Sequence, residues 1–142
     1  AIKAGRFLGF KGMSITMPYK QEALNYVDEL SDEVKEIVAA NTILNKDGKL
    51  IAYNTDAYSS FTYLSQYVPK GFNSICILGN GGYSKAVEYS AKKWFKKVSL
   101  ITRKNWHWIP EIEYSLIFNC TPLILDLGIS NILWLRFTCF FN

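Results

Sequence analysis

The sequence predicts an α/β chain in two parts. Residues 74–79, SICILG, form a nearly continuous apolar run, as a strand covered on both faces requires. A glycine turn at 79–82 and a stretch of helical period at 83–95 follow, which is the first half of a strand–helix–strand unit. Before residue 68 the pattern differs, with short strand and helix signals around an Asp47-Gly48 hairpin turn. The change sets a boundary near Val68, giving parts 1–68 and 69–142.

Each element has a local reason. Residues 13–16 read as a short strand, which Pro18 stops. Residues 19–29 carry Ala23, Tyr26 and Val27, with Leu30 beyond, at helical spacing and predict a helix. Ser31 is placed to cap a second helix over 32–39, with Asp32 and Glu33 in its first turn. Residues 41–45 and 49–53 are the two strands of the hairpin. Residues 57–67, with Phe61, Leu64 and Tyr67 on one face, predict a connecting helix that ends before Pro69 and Gly71. Residues 98–102 and 115–119 then read as further parallel strands.

Composition narrows the function classes. With 142 residues, 49% of them hydrophobic and 15% aromatic, the chain is long and apolar enough to build a core, which excludes a disordered tail. The formal charge is +4, and its densest cluster, Lys92, Lys93, Lys96 and Lys97, reads as a solvated helix end that complements the helix dipole. No recognition motif accompanies it, so a nucleic-acid partner is not expected. Cys76, Cys120 and Cys139 are odd in number and widely spaced. They predict free thiols in a reducing, cytoplasmic compartment, with Cys76 buried in its strand. No metal site is expected. The start, AIKAGRF, lacks the apolar run of a signal peptide. The apolar stretch 123–141 is broken by Asp126, Gly128, Asn131 and Arg136, which argues against a membrane span.

Two groups of residues carry chemistry. Gly79, Gly81 and Gly82, with Asn80 between them, lie where a strand enters a helix, and there backbone amides can approach a pyrophosphate closely. Ser84 stands where the fingerprint's third glycine is usual; a small hydroxyl there still allows close helix–strand packing, and the alternative is a purely structural turn. At the end of the next strand an NAD site usually places an acidic residue, but this chain has Thr102, Arg103 and Lys104. Arg103 can hold a phosphate bidentately, which favours NADP; the alternative is that Arg103 and Lys104 simply face solvent. The second group is Lys20, Asn41 and Asp56, with Thr42 beside Asn41, all at the ends of short elements. A lysine and an aspartate in contact can share a bound hydroxyl and move a proton on it.

The segments GMSITMPYKQEAL, AANTILNKDGKLIAYNTD, ILGNGGYSKAV, LITRK and IFNCTPL, in this order over most of residues 12–123, resemble the shikimate dehydrogenase family. The resemblance implies a substrate-binding α/β domain followed by a Rossmann-type NADP-binding domain, each partial here. It implies reduction of 3-dehydroshikimate to shikimate in chorismate and aromatic amino-acid biosynthesis. Under it, Lys20 and Asp56 are the catalytic pair, and Thr16, Lys20, Asn41 and Asp56 bind the ring hydroxyls. Gly79, Asn80, Gly81, Gly82 and Ser84 form the pyrophosphate loop; Thr102, Arg103 and Lys104 read the 2′-phosphate; Asn119, Thr121 and Pro122 lie toward the nicotinamide. A homodimer is compatible with the family. A quinate-active relative, or a non-catalytic nucleotide-binding remnant, are the alternatives. A methylenetetrahydrofolate dehydrogenase-like chain fits the PYK and NTD segments less well.

The chain also departs from the family pattern. Nothing before Gly12 supplies the family's first strand and serine-rich carboxylate loop, which leaves a sheet edge unpaired. The 103–119 segment is short for a full crossover helix, which needs a dozen or more connecting residues. Its single histidine, His107, reads as packing or surface between Trp106 and Trp108. Beyond Leu123 the resemblance stops, so the expectation is a chain partial at both ends.

Overall fold

The computed structural model describes residues 1–105, 114–121 and 133–136, the last of these through their backbone. Trp106, His107, Trp108, Pro122, Cys139 and most of the 123–141 stretch lie outside the described residues. Packing divides the chain into two units, Ala1–Ser59 and Ser60–Asn142.

The first unit is built on a mixed four-stranded sheet. Its strands are β1 (Gly12–Ser14), β2 (Glu29–Leu30), β3 (Thr42–Lys46) and β4 (Lys49–Tyr53), in the order β1-β3-β4-β2. β1 and β4 run antiparallel to β3, and β2 runs parallel to β4. The hairpin forms where the sequence predicts it. Asp47 and Gly48 both take positive φ, 52° and 88°, which suits the twist of the flanking strands. Asn45 Oδ1 accepts the Gly48 N–H at 2.9 Å and closes the turn. The helices are α1 (Ile2–Phe7), α2 (Asp32–Ile37) and the first turn of α3 (Thr55–Ser65). Ala23, Ile43 and Leu50 form one small core, and Val34, Ala40 and Ala52 another.

The helix expected over residues 19–29 does not form. A 3-10 turn over Glu22–Tyr26 takes its place, and the chain then leaves to become β2. Sheet bonds override the helical period. The Asp28 N–H donates to Leu50 C=O at 2.9 Å, Ser31 N–H donates to Ala52 C=O at 3.0 Å, and the Asp28 carboxylate accepts the Leu50 N–H at 2.7 Å. Ser31 does precede α2, but its hydroxyl donates to Glu33 Oε1 at 2.5 Å instead of capping the helix. The helix ends at Ile37, short of the predicted 32–39 span, because Val38 turns left-handed at φ 56°.

Asp28 also pairs with Arg6 at 2.7 Å. The Leu50 amide first, and then Arg6, hold its carboxyl below the ordinary 3.8 despite partial desolvation. A carboxyl lowered in the folded state contributes stability above its unfolded pKa, and that contribution is lost as pH falls through the folded value. Asp28→Asn is therefore expected to lower the melting temperature at neutral pH and to flatten its decline below pH ~4. Thermal melts of both chains across that range check it.

The second unit holds a parallel sheet of β5 (Ser74–Leu78), β6 (Lys97–Ile101), β7 (Leu116–Asn119) and β8 (Leu133–Arg136), ordered β6-β5-β7-β8. Every residue of β5 and β7 is buried, which explains why only their terminal Ser74 and Asn119 are polar. α4 (Gly82–Ala91) crosses between β5 and β6. Ile75, Ile77, Leu116 and Phe118 share a face, and Leu64 and Tyr67 together with Val87 and Ala91 pack on it. Burial pushes the Cys76 thiol up to about 12, and Cys76 is a free thiol.

The predicted helix over 83–95 ends early, at Ala91, so the lysine cluster is split. Lys92 follows the last turn and pairs with Glu88 at 2.8 Å, Lys93 lies over the Tyr89 ring, and Lys97 belongs to β6 and lies over Tyr114. Among the described residues no helix is long and apolar enough to cross a membrane.

Candidate functional site

In the first unit three turns bring the polar residues together. Ile15, at the end of β1, donates its N–H to Asn41 C=O at 2.7 Å, which sets Thr16 beside the start of β3. Ala40 N–H donates to Lys20 C=O at 2.8 Å, which ties the turn after Pro18 to the same place. Lys20 Nζ meets Asp56 Oδ2 at 2.5 Å, with the two side chains 20% and 22% exposed. Such a charge-assisted contact, part-buried yet reachable by solvent, can bind a hydroxyl and pass it a proton.

Asn41 is oriented by its neighbours. Its Oδ1 accepts Thr55 N–H at 3.0 Å and the Thr42 hydroxyl at 3.0 Å, while its Nδ2 donates to Thr55 Oγ1 at 2.9 Å. Thr55 is thus part of the constellation, although the sequence alone did not single it out; its place between Asn54 and Asp56 was the available signal. Thr16 is exposed. It also borders a cavity of about 490 Å³ lined by Lys3, Ser14, Tyr19, Glu22 and Tyr26 among others, in which Lys20, Asn41 and Asp56 take no part.

In the second unit the other residues stand at the carboxyl ends of β5, β6 and β7, where open parallel sheets bind ligands. Gly79 has φ 132°, a region open only to glycine, and a Cβ there would meet Cys120 Cβ at 3.4 Å. Gly81 precedes α4, and a Cβ on it would touch nothing within 4 Å, so the space before the helix amides is clear. Asn80 is exposed and Gly82 opens the helix. Ser84 is buried and donates its hydroxyl to Gly81 C=O at 2.8 Å, closing the first turn.

After β6, Asn105 organises a tight turn that the sequence alone did not reveal. Asn105 Oδ1 accepts Thr102 N–H at 2.7 Å and the Thr102 hydroxyl at 3.1 Å, and Asn105 N–H donates to Thr102 C=O at 3.1 Å. The Thr-x-x-Asn spacing was its signal. Arg103 and Lys104 are exposed at the tip and enter no ion pair among the described residues. On β7, buried Asn119 Oδ1 accepts both the N–H and the hydroxyl of Thr121, at 2.9 and 2.7 Å. A glycine loop with clear space before a helix, and an exposed Arg-Lys tip one strand away, fit a phosphorylated dinucleotide.

The family model for the shikimate dehydrogenase substrate binding domain matches residues 1–43. The shikimate dehydrogenase (NADP(+)) of Clostridium beijerinckii is 37% identical over 139 residues, covering 86% of this chain and 52% of the relative. The chain belongs to the shikimate dehydrogenase family.

Solved shikimate dehydrogenases share the fold. That of Aquifex aeolicus superposes with a TM-score of 0.77 at 26% identity, covering 94% of this chain and 60% of the other. That of Thermus thermophilus, in complex with NADP(H) and shikimate, gives 0.67 at 27% identity, covering 84% and 51%. The chain spans about half the length of the shikimate dehydrogenase from Clostridium beijerinckii.

Proposed function

We propose that this shikimate dehydrogenase-type chain takes part in the NADP-dependent reduction of 3-dehydroshikimate to shikimate, in the chorismate route to aromatic amino acids. The observation that carries the reading is the Lys20–Asp56 contact, presented beside Asn41 and Thr16 by three separate turns. Residues 1–68 hold the polyhydroxylated ring acid, and residues 69–142 form a Rossmann-type domain for the cofactor. Asp56 and Asn41 hold ring hydroxyls, with Thr16 beside them. Lys20 gives a proton to the oxygen forming at C3, and takes it back in the reverse reaction. The pyrophosphate rests on the amides of Gly79, Asn80, Gly81 and Gly82, with Ser84 keeping α4 close. Thr102, Arg103 and Lys104 hold the 2′-phosphate, and Thr121 borders the nicotinamide side. Bound NADPH supplies the hydride. The setting is the cytoplasm, and a homodimer is compatible with the reading.

Calorimetric titration of the purified chain tests it. Both NADP and shikimate are expected to bind. Binding of NADP without shikimate would leave only a nucleotide-binding protein, and quinate in place of shikimate would reassign the substrate. Arg103→Ala is expected to weaken NADP binding about ten- to a hundredfold while leaving NAD binding close to wild type, because only the 2′-phosphate contact is lost. Titrations of both nucleotides into both chains measure it.

A further inference from the structure

Asn54 is 2% exposed, yet it touches three separate segments. Its backbone N–H donates to Glu33 Oε1 of α2 at 3.3 Å. Its Oδ1 accepts the Ala57 N–H at 3.2 Å, so Asn54 caps the helix whose second residue is Asp56. Its Nδ2 donates to Ala39 C=O at 2.8 Å. The next residue, Ala40, donates its own N–H to Lys20 C=O at 2.8 Å. One buried amide therefore fixes the turn that carries Asp56 and the segment that holds Lys20.

We infer that Asn54 is a positioning residue that aligns Lys20 with Asp56 by bridging the start of α3 to the Ala39-Ala40 segment. Only an amide serves both ends: a carboxylate can cap α3 but cannot donate to Ala39, and a serine is too short to span both. A buried amide left half-satisfied is costly, so each bond enforces the other. Asn54 needs no contact with substrate for this. The inference rests on the proposed reaction for its kinetic consequence, while the bridge itself can be measured without activity.

The test uses the purified chain with Asn54→Ala and Asn54→Asp, followed by amide hydrogen exchange and by shikimate-dependent NADP reduction. In Asn54→Ala, the amides of Ala57 and Ala40 are expected to exchange about tenfold faster. In Asn54→Asp, Ala57 keeps its protection and Ala40 loses it. Both variants are expected to lose kcat about a hundredfold with KM for NADP unchanged. If Asn54→Ala does not fold, Asn54→Asp, which keeps the cap, carries the test alone. Unchanged exchange at Ala40 in a folded variant would overturn the inference, as would a kcat loss matched by an equal rise in KM for NADP. The expected exchange pattern in the variants, beside a wild-type chain that shows no reduction of NADP, would uphold the bridge and refute the proposed reaction.

Discussion

Lys20→Met is expected to lower kcat/KM for shikimate-dependent NADP reduction by about 100- to 10,000-fold, the usual contribution of a positioned acid or base. Methionine keeps the length and apolar stem of lysine but has no proton to give. Asp56 loses its partner but, at 22% exposure, remains within reach of water, so the first unit is expected to stay folded. NADP affinity should not move, since Gly79 to Gly82 and Arg103 belong to the other unit. Lys20→Arg separates charge from chemistry: the cation beside Asp56 survives, but guanidinium does not exchange its proton in this range. It is expected to be nearly as inactive as Lys20→Met. Steady-state kinetics with calorimetry of NADP binding checks each point, and activity close to wild type in Lys20→Met would remove the lysine from the reaction.

Phe118→Ala is expected to destabilise the chain by about 3–5 kcal/mol, the range for a large aromatic deleted from a packed interior. Phe118 is fully buried on β7, with Tyr63 edge-on at 6.2 Å and Tyr83 at 6.4 Å. Its removal opens a cavity between α3, α4 and the sheet that no small shift can fill. Against a typical stability of about 5–15 kcal/mol, such a loss lowers the denaturation midpoint markedly. Tyr58→Ala is the control: Tyr58 is 76% exposed, and its loss should cost within about 0.5 kcal/mol. Urea melts of the three chains measure both.

β5 and β7 were legible because burial on both faces leaves a mark in sequence: in SICIL and LIFN only the terminal Ser74 and Asn119 are polar. The hairpin was legible because Asp47-Gly48 supplies two positive-φ positions. The stretch 19–29 was misleading because its helical period competes with long-range bonds from Asp28 and Ser31 to Leu50 and Ala52, which no local pattern reveals. Likewise the chain after α4 leaves the helical path where the Lys96 and Lys97 amides donate to Asn73 C=O, a bond no local pattern reveals. Lys20, Asn41 and Asp56 could be named from their motifs, but their meeting depends on Ala40, Asn54 and Thr55, whose side chains or amides act across distant segments. Asn105 was hidden for the same reason: its work is a turn closed on Thr102, visible only once the backbone is in place.

The most direct measurement is the appearance of NADPH when the purified chain is mixed with NADP and shikimate. A reduction that depends on shikimate, saturates with it and disappears in Lys20→Met is the predicted result. A folded chain that binds NADP yet reduces none of it with shikimate present would contradict the central claim.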